Sequence, residues 1–175
     1  MIRQLQGIEP QIGEGTFVAE TAAVIGDVVI GNNSSVWYGA VLRGDVNKIR
    51  VGNRVSLQDG CCLHCSGGDA YVEIGDNVTV GHNATLHGCK IENDVLIGMG
   101  STLLDNCRVC SGSVVAAGAL VTSRTFIGPN EMWGGVPAKF IKTITPEAAE
   151  RIIRMGPANY DHWTRVYLAE EEKGE

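Results

Sequence analysis

The sequence contains no run of eighteen apolar residues, no basic tract and few aromatic side chains, and each absence removes a class of protein. Without a long apolar run there is no candidate membrane-spanning helix, and no membrane partner is expected. Lys and Arg together number 14 against 20 acids, a formal charge of −6. Nothing is therefore available to neutralise a phosphate backbone, and no nucleic-acid partner is expected. The opening MIRQLQGIEPQIGEG lacks the apolar core of a secretory signal, so the expected location is cytoplasmic, with an organellar address left open. The six cysteines then read as reduced thiols rather than a disulfide framework. A chain of 175 residues suits one domain with a terminal appendage.

What is present is a repeat. Steps of six from Ile12 reach Val18, Val24, Ile30, Val36 and Leu42. Further runs are Val51, Leu57, Leu63; Ile74, Val80, Leu86; and Ile91, Ile97, Leu103, Val109, Val115, Val121, Ile127. Every rung is aliphatic, although hydrophobic residues of all kinds make up only 44% of the chain. Four places beyond each rung stands a small or β-branched residue such as Ala22, Ser34, Cys61, Ala84 or Cys107, a second inward position. This is the hexapeptide signature of an all-β solenoid, a parallel β-helix in which three hexads form one triangular coil and coils stack about 4.7–4.9 Å apart. It resembles the left-handed members of that fold, and the hand is taken from the resemblance. The coil is expected to occupy residues 1–140.

The register slips between Leu42 and Val51, between Leu63 and Ile74, and between Leu86 and Ile91, and extra residues in a solenoid are expected to bulge out as loops. Beyond Ile127 the pattern leaves the coil. Thr145-Pro146-Glu147 reads as a helix start, opening a helix to about Met155. Gly156-Pro157 is expected to break it, and a second helix from about Asn159 to Ala169 places Tyr160, Trp163, Val166 and Tyr167 on one packing face. Residues 141–175 thus form a C-terminal helical appendage, and its closing EEEKGE is expected to be disordered.

The slips flank three of the four histidines. Counting hexads across them puts Leu42, Leu63 and Leu86 on one face of successive coils, so the residues that follow, Arg43, His64 and His87, form a vertical stack. Leu57 and Val80 share an adjacent face, and two places on come Asp59 and His82. Two imidazoles one coil apart can lean onto one Zn²⁺, whose nitrogen ligands lie at about 2.0–2.1 Å. His82 leaves another face, so it reaches such a pair only in a neighbouring subunit, which points to a homotrimer with interfacial sites. Three histidines leave a coordination position open, as catalytic zinc sites do. His162, in the terminal helix, reads as an ordinary surface residue. Cys61 and Cys107 occupy inward positions as small apolar residues, and Cys65 and Cys89 are the cysteines nearest the histidines.

At this point the chain resembles the gamma-class carbonic anhydrase family over nearly its whole length. The resemblance rests on SSVWYGAVLRGDVNKIRVG (34–52), LQDG (57–60), LH (63–64), VGHNATLHGC (80–89), IGMGS (97–101), GVPAK (135–139) and the NY at 159–160. It implies that His64 and His87 are metal ligands from one subunit and His82 the ligand from the next. It further implies that Arg43 pairs with Asp59 across the trimer contact with help from Asp45, that Gln58 orients the metal-bound solvent, and that Tyr160 lines the pocket. The implied reaction is reversible hydration of CO₂ to bicarbonate by hydroxide generated at the metal. The sequence departs from the best-equipped relatives at Val46, where they carry a glutamate, and in the loop CSGGDA, where Asp69 is the only acid; a slow enzyme is expected. Zinc suits three imidazoles, and Fe²⁺ or Co²⁺ also fits. Competing readings are a metal-dependent thioester hydrolase, a hexapeptide acyltransferase needing no metal, and a non-catalytic metal-binding scaffold.

Overall fold

The computed structural model describes residues 1–174, leaving aside the side chains of 152–159 and 171–174. The chain winds into a parallel β-solenoid of about seven turns, followed by a helix. Each run of rungs resolves into three vertical columns. One wall stacks Val24, Leu42, Leu63, Leu86, Leu103 and Val121. A second stacks Val18, Val36, Leu57, Val80, Ile97 and Val115 and ends at Trp133. The third stacks Ile12, Ile30, Val51, Ile74, Ile91, Val109 and Ile127. Ile12 and Val18, on the first coil, are half-buried, and the other aliphatic rungs are buried. At roughly 1.5–3 kcal/mol for each such side chain, this column of apolar contacts is what holds two-residue strands together.

The corners are held by polar side chains. Oδ1 of Asn32, Asn53, Asp76 and Asn93 accepts the backbone N–H of Glu14, Asn32, Asn53 and Asp76, each from the coil below. At the small inward positions Ser34, Ser101 and Ser113 donate to the corner carbonyls of Gly52, Gly98 and Gly128. The thiol of Cys61 does the same to Gly81 at 3.2 Å. An inward hydroxyl or thiol thus adds a hydrogen bond at a corner carbonyl, which at Gly81 and Gly98 also accepts a backbone N–H within the turn.

The register slips have different outcomes. The first is not a loop: strand Val41–Val51 runs unbroken, and its extra residues shift the pairing with Ala23–Ile30 between Gly26 and Val28. An extended strand absorbs added residues as an irregularity and turns a corner without leaving the sheet. The second slip does form a loop, closed by a bridge between Gly67 and Ala70. Asn47, from the first slip, pins this loop by donating to the carbonyls of Gly68 and Ala70 at 3.1 Å.

After the last coil, Glu131–Gly134 pairs antiparallel with Lys139–Thr143, a strand that straddles the 140/141 position where the sequence alone would begin the appendage. The Thr145 hydroxyl then accepts the N–H of Ala148 at 3.3 Å and opens a helix. The expected break at Gly156-Pro157 does not occur: one helix spans Pro146–Gly174. A proline removes a single N–H donor and does not have to end a helix that is anchored on both sides. Here Ala148 and Ala149 pack with Leu96 and Val114 on one side of the proline, and Tyr160, Tyr167 and Leu168 join the main core on the other. The packing face differs from the expected one, since Thr164 is buried while Trp163 and Val166 are exposed. The 170–175 tail, expected to be disordered, has helical backbone to Gly174, and Glu175 lies outside the described residues. Among the described residues no helix is long and apolar enough to cross a membrane.

Candidate metal centre

His64 ends strand Cys62–His64 and His87 ends strand Thr85–His87, and the two residues are register partners on adjacent coils. Their inner neighbours Leu63 and Leu86 are fully buried, so the alternation of a strand turns both rings outward. The Nδ1 of His64 lies 3.4 Å from the Nε2 of His87. The opposite nitrogens are each held by a carboxylate. His64 Nε2–H donates to Asp45 Oδ1 at 3.0 Å, and His87 Nδ1–H donates to Asp105 Oδ1 at 3.0 Å. A proton on the nitrogen facing each carboxylate leaves a lone pair on the other. In two neutral rings the remaining lone pairs face each other, an arrangement that a shared proton or a cation satisfies. Two nitrogens at 2.0–2.1 Å from a tetrahedral zinc would lie about 3.3 Å apart, so the pair fits the ion.

Both carboxylates are themselves braced. Asp45 receives the Arg43 guanidinium, and Asp105 receives the Ser66 hydroxyl at 2.7 Å. Burial pushes each carboxyl up, but hydrogen bonds from Arg43 and His64 to Asp45, and from Ser66 and His87 to Asp105, outweigh it and hold both below their ordinary values. Gly88 makes room for this, since a Cβ at that left-handed position would stand 2.1 Å from Asp105 Oδ1.

His82 lies at a corner of the neighbouring sheet. Its backbone N–H donates to Gln58 Oε1 at 3.1 Å, its Nδ1–H to Asp59 Oδ2 at 2.9 Å, and its Nε2 accepts from the Tyr160 hydroxyl at 3.3 Å. Tyr160 comes from the helix, where its ring packs against Trp37 at 5.2 Å. Burial and the nearby Asp59 charge push its phenol up, so it stays an O–H donor at neutral pH. The structure therefore brings together His64, His87, Asp45 and Arg43 on one face, and His82, Gln58, Asp59 and Tyr160 on another. Among the described residues of this chain, no three His, Cys, Asp or Glu side chains gather into a metal-holding group. Arg43 meets Asp45 rather than Asp59, because within one chain Asp59 stands around a corner and is taken up by His82.

Cys65 and Cys89 are fully buried and their thiols are raised, Cys65 by burial and Cys89 by its hydrogen bond with Cys107 and then by burial. Burial pushes the Cys61 thiol up to about 12. Neutral, enclosed thiols make poor ligands. Asp69 accepts from Asn106 at 3.3 Å, and the exposed His162 packs against Trp163.

Asp105 and Ser66 are the site residues that sequence reasoning passed over. One further step of the rung count reaches the first: Leu103 stacks on Leu86, and Asp105 lies two places on, the offset that separates Asp59 from Leu57. Beside His82 opens a cleft of about 460 Å³, whose lining includes the polar Gln58, Thr79 and Tyr160 and the apolar Leu96, Ile97 and Val114. Thr79 Oγ1 is the one buried side-chain polar atom, among the described residues, without a hydrogen-bond partner.

The coil and its paired imidazoles define a hexapeptide-repeat β-helix protein with a candidate metal centre, and comparison with known proteins agrees on the fold and the family. The family model "Bacterial transferase hexapeptide (six repeats)" matches residues 9–44 and 88–123. Gamma carbonic anhydrase 2, mitochondrial, of Arabidopsis thaliana is 46% identical over 169 residues, 94% of this chain and 60% of the relative. The probable carbonic anhydrase of Methanocaldococcus jannaschii is 44% identical over 141 residues, 81% of this chain and 88% of the relative. A crystal structure of a hexapeptide transferase family protein from Anaplasma phagocytophilum superposes with a TM-score of 0.88 at 39% identity, covering 95% of this chain and 97% of that one. The chain belongs to the gamma-class carbonic anhydrase family. It spans 60% of the length of the Arabidopsis relative.

Proposed function

We propose that this protein is a metal-dependent carbonic anhydrase that hydrates CO₂ reversibly at sites assembled between the subunits of a homotrimer. The observation that carries this reading is the pair of converging imidazole nitrogens 3.4 Å apart, each with its far nitrogen fixed by a carboxylate. His64 and His87 hold the ion from one subunit and His82 from the next, with Arg43 reaching Asp59 across the contact. Zinc is the proposed ion, with Fe²⁺ or Co²⁺ as the alternatives that imidazole ligands also suit. When bound, the cation lowers the pKa of its water to about 7 and so supplies hydroxide at neutral pH.

The remaining roles fall to the chain. Gln58, its oxygen engaged by the His82 N–H, keeps its amide N–H groups for solvent or substrate in the cleft. The walls of Leu96, Ile97 and Val114 accept an uncharged, apolar molecule and offer no cation to retain bicarbonate. Val46 is exposed where a glutamate would serve as proton carrier, and Asp69 is bonded to Asn106. Protons therefore leave to buffer and turnover is slow. A cytoplasmic setting is proposed, with an organelle as the alternative that the mitochondrial name of the plant relative favours. Stopped-flow CO₂ hydration on protein of verified zinc or iron content, with His87→Ala as the blank, tests the reading. Activity above the blank that rises with buffer concentration supports it. Full metal content without activity refutes the anhydrase assignment.

A further inference from the structure

Of the three rings assigned to the metal, one already has its coordinating nitrogen filled. His64 Nδ1 and His87 Nε2 face each other at 3.4 Å, with no other side chain among the described residues bonded to either nitrogen. His82 differs: Asp59 takes its Nδ1–H, and the lone pair on Nε2 accepts the Tyr160 hydroxyl at 3.3 Å. A ring nitrogen has one lone pair, which serves a proton donor or a cation and not both. We propose that Tyr160 is a placeholder on His82: its hydroxyl occupies the nitrogen that the ion would take, so that loading displaces the phenol. This rests on the reading of His82 as a metal ligand.

The placement of Tyr160 suits that role. It belongs to the helix rather than the solenoid, and its ring is wedged against Trp37 beside Tyr167, both partners of the same aromatic cluster. The phenol can leave Nε2 without disturbing the turn that carries His82, and Gln58 lies along the same cleft to receive it. Asp59 fixes the imidazole by itself, so losing the phenol does not free the ring. Competition for the lone pair therefore outweighs whatever the phenol adds to holding the ring in place. A neutral hydrogen bond of ordinary strength corresponds to about a two- to tenfold penalty on metal affinity.

The test is zinc binding to metal-stripped full-length protein, read by competition with a chromophoric chelator, for the wild type, Tyr160→Phe and His82→Ala. Phenylalanine keeps the ring packing and removes only the hydroxyl. Tyr160→Phe is expected to bind zinc about two- to tenfold more tightly and to load faster, while His82→Ala binds more weakly than the wild type. Equal or weaker binding by Tyr160→Phe, with His82→Ala still impaired, overturns the placeholder and leaves the ligand assignment standing. Unimpaired binding by His82→Ala removes the ligand assignment and the placeholder with it. A measurement on the metal-free proteins gives a second arm: the ¹⁵N shift of His82 Nε2 should move between wild type and Tyr160→Phe, and an unmoved resonance refutes the contact.

Discussion

Replacing Asp105 with alanine should weaken metal binding more than its distance from the ion suggests. The carboxylate touches no metal in the proposed site; it accepts the Nδ1–H of His87 at 3.0 Å and is held by the Ser66 hydroxyl at 2.7 Å. Its work is to fix the tautomer that leaves the lone pair on Nε2, and to fix the plane of a ring that is 31% exposed. Loss of such a partner typically costs 10–100-fold in affinity, about 1.4–2.7 kcal/mol. Asp105→Asn is the sharper probe. Its carboxamide can offer oxygen to Nδ1–H, or can turn its NH₂ to a bare Nδ1 and drive the proton onto the coordinating nitrogen. Ser66→Ala removes one hydrogen bond from the brace and should cost only about two- to tenfold. The assay is equilibrium zinc competition on metal-stripped protein, with circular dichroism to show that the solenoid is intact. If Asp105→Ala binds within about threefold of wild type, the ring is oriented by packing alone and the argument for carboxylate control fails.

Two further outcomes follow from the electrostatics. Glu92 is held below its ordinary value by hydrogen bonds from Arg108 and the Ser111 amide, so it stabilises the fold above its unfolded pKa and that contribution is lost as pH falls through the folded value. Glu92→Gln should therefore melt below wild type at pH 7, with the gap narrowing as pH falls through the lowered value of the folded carboxyl; a gap that is constant with pH would exclude the charge as its source. If the proposed trimer forms, Arg43→Ala should shift it toward smaller species in sedimentation at low concentration and weaken zinc binding in parallel. A stable trimer with normal affinity would remove Arg43 from both roles.

The coil was legible because its signal is redundant. A rung such as Ile97, Leu103 or Val109 is read from both neighbours six residues away, and across the slips the pairings Leu42 with Leu63 and Leu63 with Leu86 are those that the hexad count requires. The His64–His87 stack was legible for the same reason. The departures lie where one residue type permits two outcomes. Extra residues after Leu42 can loop out or extend a strand, and local sequence does not distinguish these; the partner strand Ala23–Ile30 decides. Pro157 can end a helix or sit within one, and the anchoring contacts of Ala149 and Tyr160 on either side of it come from the solenoid, not from the helix sequence. Asp105 escaped because a lone aspartate at a corner carries no pattern until the coil below it is known to hold a histidine.

The geometry also explains why the proposed site should be divided between subunits. Strand alternation obliges His64 and His87 to leave the same face, and a triangular coil obliges His82 to leave another. One chain thus supplies two nitrogens that converge and a third imidazole that is turned away, its Nε2 held by Tyr160 and its Nδ1 by Asp59. The carboxylates make the two halves interdependent. Asp45 links His64 to Arg43 within the chain, and the proposed contact of Arg43 with Asp59 of a neighbour would continue that line to the neighbour's His82. A site built this way has low affinity in an isolated chain and full affinity only in the assembly. Metal content then reports correct association, and a cation bridging the contact stabilises the trimer in proportion to how much more tightly the trimer binds it.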